Sequence, residues 1–297
     1  MKIFVTGGTG FIGSYIVKSL LDSGHEITVY ARNPQKVRGF INCPKLSFVQ
    51  GEMSETNKFT DGVANHDALI HVALAWGDTP SLMLENETLP SVRLFEAAAE
   101  AGVKKIIYTS SIAAFGASPN NDTGYIMPLD YYGATKASAE AYLMAVGSKY
   151  NRKVNAVRPG YTFGNPVVEG GFIYSDKKII NMVTAALADE SMQFFKNDGT
   201  QFIWAGDLAK IYTALIESDL SHGYYTSVSV DFRTWGQVAQ MVIDITGSKS
   251  KIDWIDKGLP EHKTIPINVS RIKEAFGFEF RTDEKMMEHI KYLISIR

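Results

Sequence analysis

Apolar positions recur along the first half of the chain in two different periods. Short, nearly unbroken apolar runs fall at Lys2–Thr6, Glu26–Tyr30, Leu46–Val49, Ala68–Val72, Lys104–Thr109 and Val154–Arg158. Runs of this length with no polar face predict strands covered on both sides. Between them, Phe11–Ser23 places Ile12, Ile16, Val17, Leu20 and Leu21 at helical spacing and stops at Gly24. Longer helical patterns cover Leu82–Ala101, ending at Gly102, and Tyr131–Lys149. Strands alternating with helices predict an α/β fold, a doubly wound parallel sheet with helices on both faces.

Beyond Arg158 the pattern loosens. Pro159, Gly160, Gly164, Pro166, Gly170 and Gly171 make a loop-rich stretch. Helices are predicted near Asp176–Asp189, Asp207–Ser218, Thr234–Thr246 and Glu284–Ile294, with short strands between them. This divides the chain into a larger domain over 1–165 and a smaller, interleaved one over 166–297, with segments returning to the first core. No repeat, low-complexity tract or long linker marks a clean boundary.

The segment Thr6-Gly7-Gly8-Thr9-Gly10-Phe11-Ile12-Gly13 lies directly between the first strand and the first helix. Gly7 permits the tight turn, Gly10 lets a pyrophosphate approach the backbone, and Gly13 lets the helix pack against the sheet. The helix start, at Phe11 and Ile12, offers unpaired N–H groups and a positive dipole end to phosphates. Strand, turn and helix in that order predict dinucleotide binding.

A second constellation carries chemistry. Tyr132 and Lys136 stand four residues apart, on one face of a predicted helix. A free phenol loses its proton only near pH ~10, and a neighbouring ammonium favours the phenolate. Such a pair suits proton transfer to or from a substrate oxygen while hydride moves at the adjoining carbon. Tyr131 points elsewhere. The pair follows Tyr108-Thr109-Ser110-Ser111 at the carboxyl end of a predicted strand, where open α/β sheets bind ligands.

Composition narrows the field without changing this picture. The 297 residues are 45% hydrophobic and 21% charged, values that exclude a disordered or fibrous chain. A net charge of −2 excludes the basic footprint of a dedicated nucleic-acid binder. The single cysteine, Cys43, excludes a disulfide framework and a cysteine zinc site, and no histidine cluster has metal spacing. The start lacks a signal-peptide core and no apolar run reaches membrane-spanning length. A cytoplasmic protein with a small-molecule substrate, no metal, no nucleic acid and no membrane contact is expected.

The GxxGxxG spacing resembles that of the extended short-chain dehydrogenase/reductase superfamily, the NAD-dependent epimerase/dehydratase family. Ser110-Ser111-Ile112-Ala113-Ala114-Phe115-Gly116 is similar to its SSxxVYG stretch, and that register selects Ser111 over Ser110. Asp67–Ala73 resembles DxVxHxA, Arg158–Pro166 resembles RPxxVYGP, and Phe202–Ala209 resembles F-I-x-V-x-D-L-A. Ser270–Phe278 is similar to the closing helix and turn. The resemblance implies a Rossmann fold with a substrate domain, catalytic Ser111, Tyr132 and Lys136, and a homodimer built through the tyrosine helix. It implies cofactor contacts at Gly7, Gly10, Phe11, Ile12, Gly13, Arg32, Glu52, Met53, Ala73, Tyr132, Lys136 and Pro159. His71 reads as a packed strand residue, and Asp207 as a helix N-cap.

Departures from the family pattern shape the functional expectation. Thr200 and Gln201 stand where nucleotide-sugar enzymes place an arginine on the substrate diphosphate, and Glu261-His262-Lys263 offers no second arginine. A neutral threonine cannot supply a guanidinium's paired contact. Ile112 and Ala113 replace the acidic pair of dehydratases. An oxidoreductase acting on a secondary alcohol or ketone is therefore expected, with nucleotide-sugar epimerase as the alternative. A non-catalytic cofactor sensor is a third reading, which the intact Ser111, Tyr132 and Lys136 oppose. The second strand ends in Ala31-Arg32 and not in an acidic residue. NADP(H) is accordingly expected over NAD(H), with Lys36 also near.

Overall fold

The computed structural model describes residues 1–40, 42–116, 128–171, 177–259 and 266–297. In chain order the strands are β1 (Lys2–Thr6), β2 (Glu26–Ala31), β3 (Leu46–Gln50), β4 (Ala68–His71), β5 (Lys105–Thr109) and β6 (Lys153–Pro159). There follow β7 (Tyr161–Phe163), β8 (Met192–Phe195), β9 (Gly199–Thr200), β10 (Phe202–Trp204), β11 (Gly223–Ser227), β12 (Arg233–Thr234) and β13 (Ile252–Ile255). The helices are α1 (Phe11–Asp22), α2 (Thr56–Val63), α3 (Pro80–Met83), α4 (Leu89–Glu100) and α5 (Tyr131–Tyr150). Then come α6 (Lys178–Leu187), α7 (Ala205–Glu217), α8 (Trp235–Thr246), α9 (Ser270–Phe276) and α10 (Asp283–Ser295).

The chain divides into two compact units. The first comprises Met1–Pro159, Pro166–Gly171 and Gly206–Ser227. Its seven-stranded sheet runs β11-β6-β5-β4-β1-β2-β3, every neighbouring pair parallel. Alternate residues explain the apolar runs. Phe4, Leu69, Ile106 and Val154 enter a core shared with Leu94, Phe95, Ala139 and Leu143 of α4 and α5. Ile3, Val5, Ile70 and Ile107, on the opposite parity, are at most 1% exposed. A sheet closed on both faces is what the unbroken apolar runs require. The doubly wound parallel α/β fold is the one expected.

The order reverses at β1, with β2 and β3 on one side and β4, β5 and β6 on the other. The carboxyl ends of β1 and β4 beside that reversal make the crevice where such sheets take ligands.

The second unit comprises Gly160–Asn165, Phe172–Ala205 and Val228–Arg297. Among the described residues it holds three two-stranded pairs, β10-β7, β12-β9 and β13-β8, around a core that includes Phe163, Met182, Phe202, Trp235, Val242 and Ile290. Asp207 is not an N-cap: α7 begins at Ala205, and the carboxylate accepts from Lys210 Nζ at 2.7 Å inside the first turn. An acidic side chain there suits the positive helix end without capping it. No helix among the described residues is long and apolar enough to cross a membrane.

Candidate active site

The glycine loop follows β1 and opens α1. Gly7 adopts φ +70, and a Cβ built on it would lie 2.5 Å from the Ala73 nitrogen, so only glycine lets the loop rest on the chain beyond β4. A Cβ on Gly13 would meet the Gly7 carbonyl at 2.1 Å. The close neighbour of Gly13 is thus the loop itself, not the sheet. At Gly10 the only near atom is the Gly7 oxygen at 3.2 Å, and the N-cap position offers no side-chain acceptor to α1. An uncapped first turn behind a bare loop fits a pyrophosphate held by the backbone of Phe11, Ile12 and Gly13.

The other residues expected to meet the cofactor lie at or just beyond the carboxyl ends of the sheet strands. Ala73 donates its N–H to Thr6 Oγ1 at 3.3 Å. Arg32 follows β2 directly, is exposed, and has no described carboxylate on its guanidinium. Asn33 caps the turn Pro34–Lys36, which holds Lys36 on the same segment. Glu52 and Met53 sit beside the β2 end because the Tyr30 hydroxyl donates to the Glu52 carbonyl at 2.8 Å. Met53 packs on the core while Glu52 is exposed. Pro159 ends β6, opposite Ser227 of β11.

The residues expected to handle the proton stand at the carboxyl end of β5 and the start of α5. Asp130 caps α5 by accepting from the Gly133 N–H at 2.6 Å. Gly133 lies so near the turn after β5 that a Cβ would be 2.4 Å from the Ala113 oxygen. That approach brings the Tyr132 segment against the Ser111 turn. Ser111 Oγ accepts from the Ala113 N–H at 3.1 Å, capping the short turn Ile112–Phe115. Capping uses a lone pair, so the hydroxyl proton stays available to a ligand.

Tyr132 is half-buried, and no described residue hydrogen-bonds its hydroxyl. Its ring centroid lies 5.9 Å from Lys136 Nζ and 5.9 Å from the exposed Trp76 ring. Tyr131 lies 6.4 Å from the same Trp76 ring and donates to the Asp78 carbonyl. Lys136 is buried; its Nζ donates to Glu87 Oε1 at 2.9 Å and to the Thr109 carbonyl at 3.3 Å. Burial alone would lower its pKa, but Tyr108, Glu87 and Tyr132 more than offset that and hold it above the usual lysine value. The hydroxyls of Tyr108 and Ser110, both buried on β5 and just beyond it, have no partner among the described residues.

Glu87 is the residue that sequence reading passed over. Met83, Glu87, Ser91, Leu94 and Ala98 form one buried stripe of the predicted Leu82–Ala101 helix. A glutamate on a core stripe was the available signal. His71 is fully buried between Thr6 and Ser91, at 2.6 and 2.8 Å, and burial pushes its pKa down to about 4. It is a neutral structural link. The described residues contain no cluster of three or more groups able to hold a metal.

In the second unit Thr200 lies in β9 against Arg233, whose guanidinium pairs with Asp283 at 2.6 Å. The Gln201 amide is buried between the Ser229 carbonyl and the Ile267 N–H, at 2.7 and 2.6 Å. It is committed to the fold. Glu261, His262 and Lys263 lie outside the described residues.

A UDP-glucuronic acid 4-epimerase from Bacillus cereus, solved with UDP-glucuronic acid and NAD, superposes with a TM-score of 0.84. It is 17% identical and covers 100% of both chains. Dihydroflavonol 4-reductase of Hordeum vulgare is 28% identical over 82% of this chain and 74% of its own. UDP-glucose 4-epimerase of Mycolicibacterium smegmatis is 29% identical over 64% of this chain and 67% of its own. Residues 3–226 match the NAD dependent epimerase/dehydratase family, and the chain belongs to that family, an enzyme of the extended short-chain dehydrogenase/reductase type.

Proposed function

We propose that the protein moves hydride between a nicotinamide dinucleotide and a secondary alcohol or ketone carbon, with Tyr132 handling the proton. The observation that carries this reading is the placing of Tyr132 and the buried Lys136 one helical turn apart, beside the Ser111 turn. Ser111 orients the substrate oxygen by hydrogen bonding, and Tyr132 gives that oxygen a proton or takes one from it. Lys136 holds the ribose of the bound dinucleotide and keeps a positive charge near the phenol. The dinucleotide, when bound on the glycine loop, supplies the hydride.

The relatives favour a nucleotide-sugar 4-epimerase as the form this chemistry takes. Both the Mycolicibacterium and the Bacillus proteins carry that activity in their names, and the latter holds NAD. An epimerase oxidises a ring carbon, turns the intermediate and returns the hydride, so no cofactor is consumed. Conversion of UDP-glucose to UDP-galactose by the purified protein, with no net change in nicotinamide absorbance, tests this reading. No conversion, together with weak calorimetric binding of UDP-, GDP- and dTDP-sugars, overturns it.

A second reading is favoured by specific residues. Thr200 is neutral, Gln201 is occupied by the backbone, and Arg233 is paired with Asp283, so the diphosphate clamp is missing at these positions. Ala31 and Arg32 at the end of β2 suit a 2′-phosphate. These features support an NADP(H)-linked reductase or dehydrogenase, in line with the dihydroflavonol reductase relative. Stoichiometric NADPH oxidation with a ketone or aldehyde substrate, and none in its absence, distinguishes the two.

A further inference from the structure

Between α3 and α4 the helix widens into a π-helical turn, Leu84–Thr88. Turns of this kind interrupt α-helices by one extra residue and recur at functional sites. Glu87 lies in the turn and is 2% exposed. Its two carboxylate oxygens have separate partners: Oε1 accepts from Lys136 Nζ at 2.9 Å and Oε2 from the Ala75 N–H at 2.8 Å. Its own backbone carbonyl accepts from Ser91 Oγ at 2.7 Å. Every acceptor of the residue is thereby tied to a different element.

The string continues to the glycine loop. Since Ser91 Oγ donates to Glu87, it accepts from His71 Nε2, and the neutral His71 then accepts from Thr6 through Nδ1. Thr6 is the last residue of β1, and its Oγ1 accepts from Ala73, against whose nitrogen Gly7 rests. One proton arrangement satisfies every link. The contact between Glu87 and Lys136 is therefore one end of a buried network that begins under the dinucleotide loop.

We propose that Glu87 is a positioning residue for Lys136: its carboxylate, held by the π-turn and by Ala75, fixes the ammonium between the Thr109 carbonyl and the Tyr132 ring. Lysine carries three donors, and Glu87 and Thr109 take two of them. The long, freely rotating lysine stem would otherwise sample many positions on the floor of the site. A carboxylate on the buried stripe of this helix has no packing value of its own. This inference rests on the assignment of Lys136 to the dinucleotide site in the preceding section.

The test titrates the purified chain with NADH and with NADPH, read by their fluorescence, and follows the Lys136 ammonium resonance in lysine-labelled protein. Glu87→Ala and Glu87→Asp, the latter short by one methylene, should weaken whichever dinucleotide binds by about 10- to 100-fold and broaden or shift the Lys136 signal. Glu87→Gln keeps one acceptor at the same reach but turns its amide nitrogen towards the Ala75 N–H or the Lys136 ammonium, so it should weaken affinity less than Glu87→Ala and not restore it fully. A merely structural role would lower the melting temperature and leave affinity and resonance in place. That result in Glu87→Asp, or in Glu87→Ala where it folds, overturns the proposal. Undiminished affinity in Lys136→Met overturns instead the reading of the dinucleotide site, so the two failures are separable.

Discussion

Glu140 on α5 and Arg158 on β6 form a two-pronged ion pair, Nε to Oε1 at 2.7 Å and Nη2 to Oε2. The Phe115 and Tyr224 rings flank the guanidinium at 4.5 and 4.4 Å. Both charged groups are buried. The pair clamps the helix that carries Tyr132 and Lys136 to the sheet.

Removing one half of such a pair leaves the other charge uncompensated. Glu140→Ala should therefore destabilise the fold by about 3–5 kcal/mol, read as a lower midpoint in denaturant unfolding. A loss below ~1 kcal/mol, the range of exposed pairs, would show that water reaches Arg158 once the carboxylate is gone.

Tyr132→Phe removes the phenolic hydroxyl and keeps the ring beside Trp76. Turnover with the substrate established by the assays above should fall by about 100-fold or more. Melting temperature and dinucleotide affinity should hardly change, since no described residue bonds the lost hydroxyl. Near-normal turnover would remove Tyr132 from the chemistry.

What was legible in the sequence was local. Buried strands announce themselves by continuous apolar runs, and Gly7 to Gly13 by lying between a strand and a helix. Tyr132 and Lys136 stand at helical spacing, so their shared face follows from sequence alone. What escaped depends on partners distant in sequence. Glu87 meets Lys136 across 49 positions, and the π-turn that contains it has no residue signature. In sequence Gln201 reads only as a gap in a clamp, whereas its amide bridges Ser229 and Ile267. The short α2 offers only Phe59 and Val63 to the core, too few apolar positions to show a period.

Three histidines are buried among the described residues, His25, His71 and His289, and the last two predict how stability depends on pH. Burial pushes His71 and His289 down to about 4 from the usual 6.5. A folded value below the unfolded one means that stability is complete above pH ~6.5 and is lost as pH falls towards the folded value. At pH ~4.5 each of these two should have withdrawn about 2.5 kcal/mol. Denaturant midpoints at pH ~7.5 and ~4.5 measure the sum, to which the lowered His25 also adds, and His289→Leu should remove about 2.5 kcal/mol of it. An unchanged pH dependence in that variant would mean that His289 is already accessible to protons in the native state.

The proposed preference for NADP(H) rests on Arg32. An NAD site usually ends its second strand with a carboxylate that accepts from the adenosine ribose. Here that position is the buried Ala31, which neither binds a ribose hydroxyl nor repels a phosphate. The Arg32 side chain follows in solvent with no described carboxylate on it, so no existing ion pair has to break when a phosphate arrives. A charge-assisted contact contributes about 1.5–3 kcal/mol, or roughly 10- to 100-fold in affinity. Arg32→Ala should therefore weaken NADPH by that factor and leave NADH unchanged, as read by fluorescence titration of both. Since a contact to the 2′-phosphate is screened by salt, the proposed preference for NADPH should shrink as ionic strength rises, and the variant should show no such trend. Equal loss for both dinucleotides would place Arg32 on the adenine or its ribose, and no loss for either would leave it a surface residue and favour NAD(H).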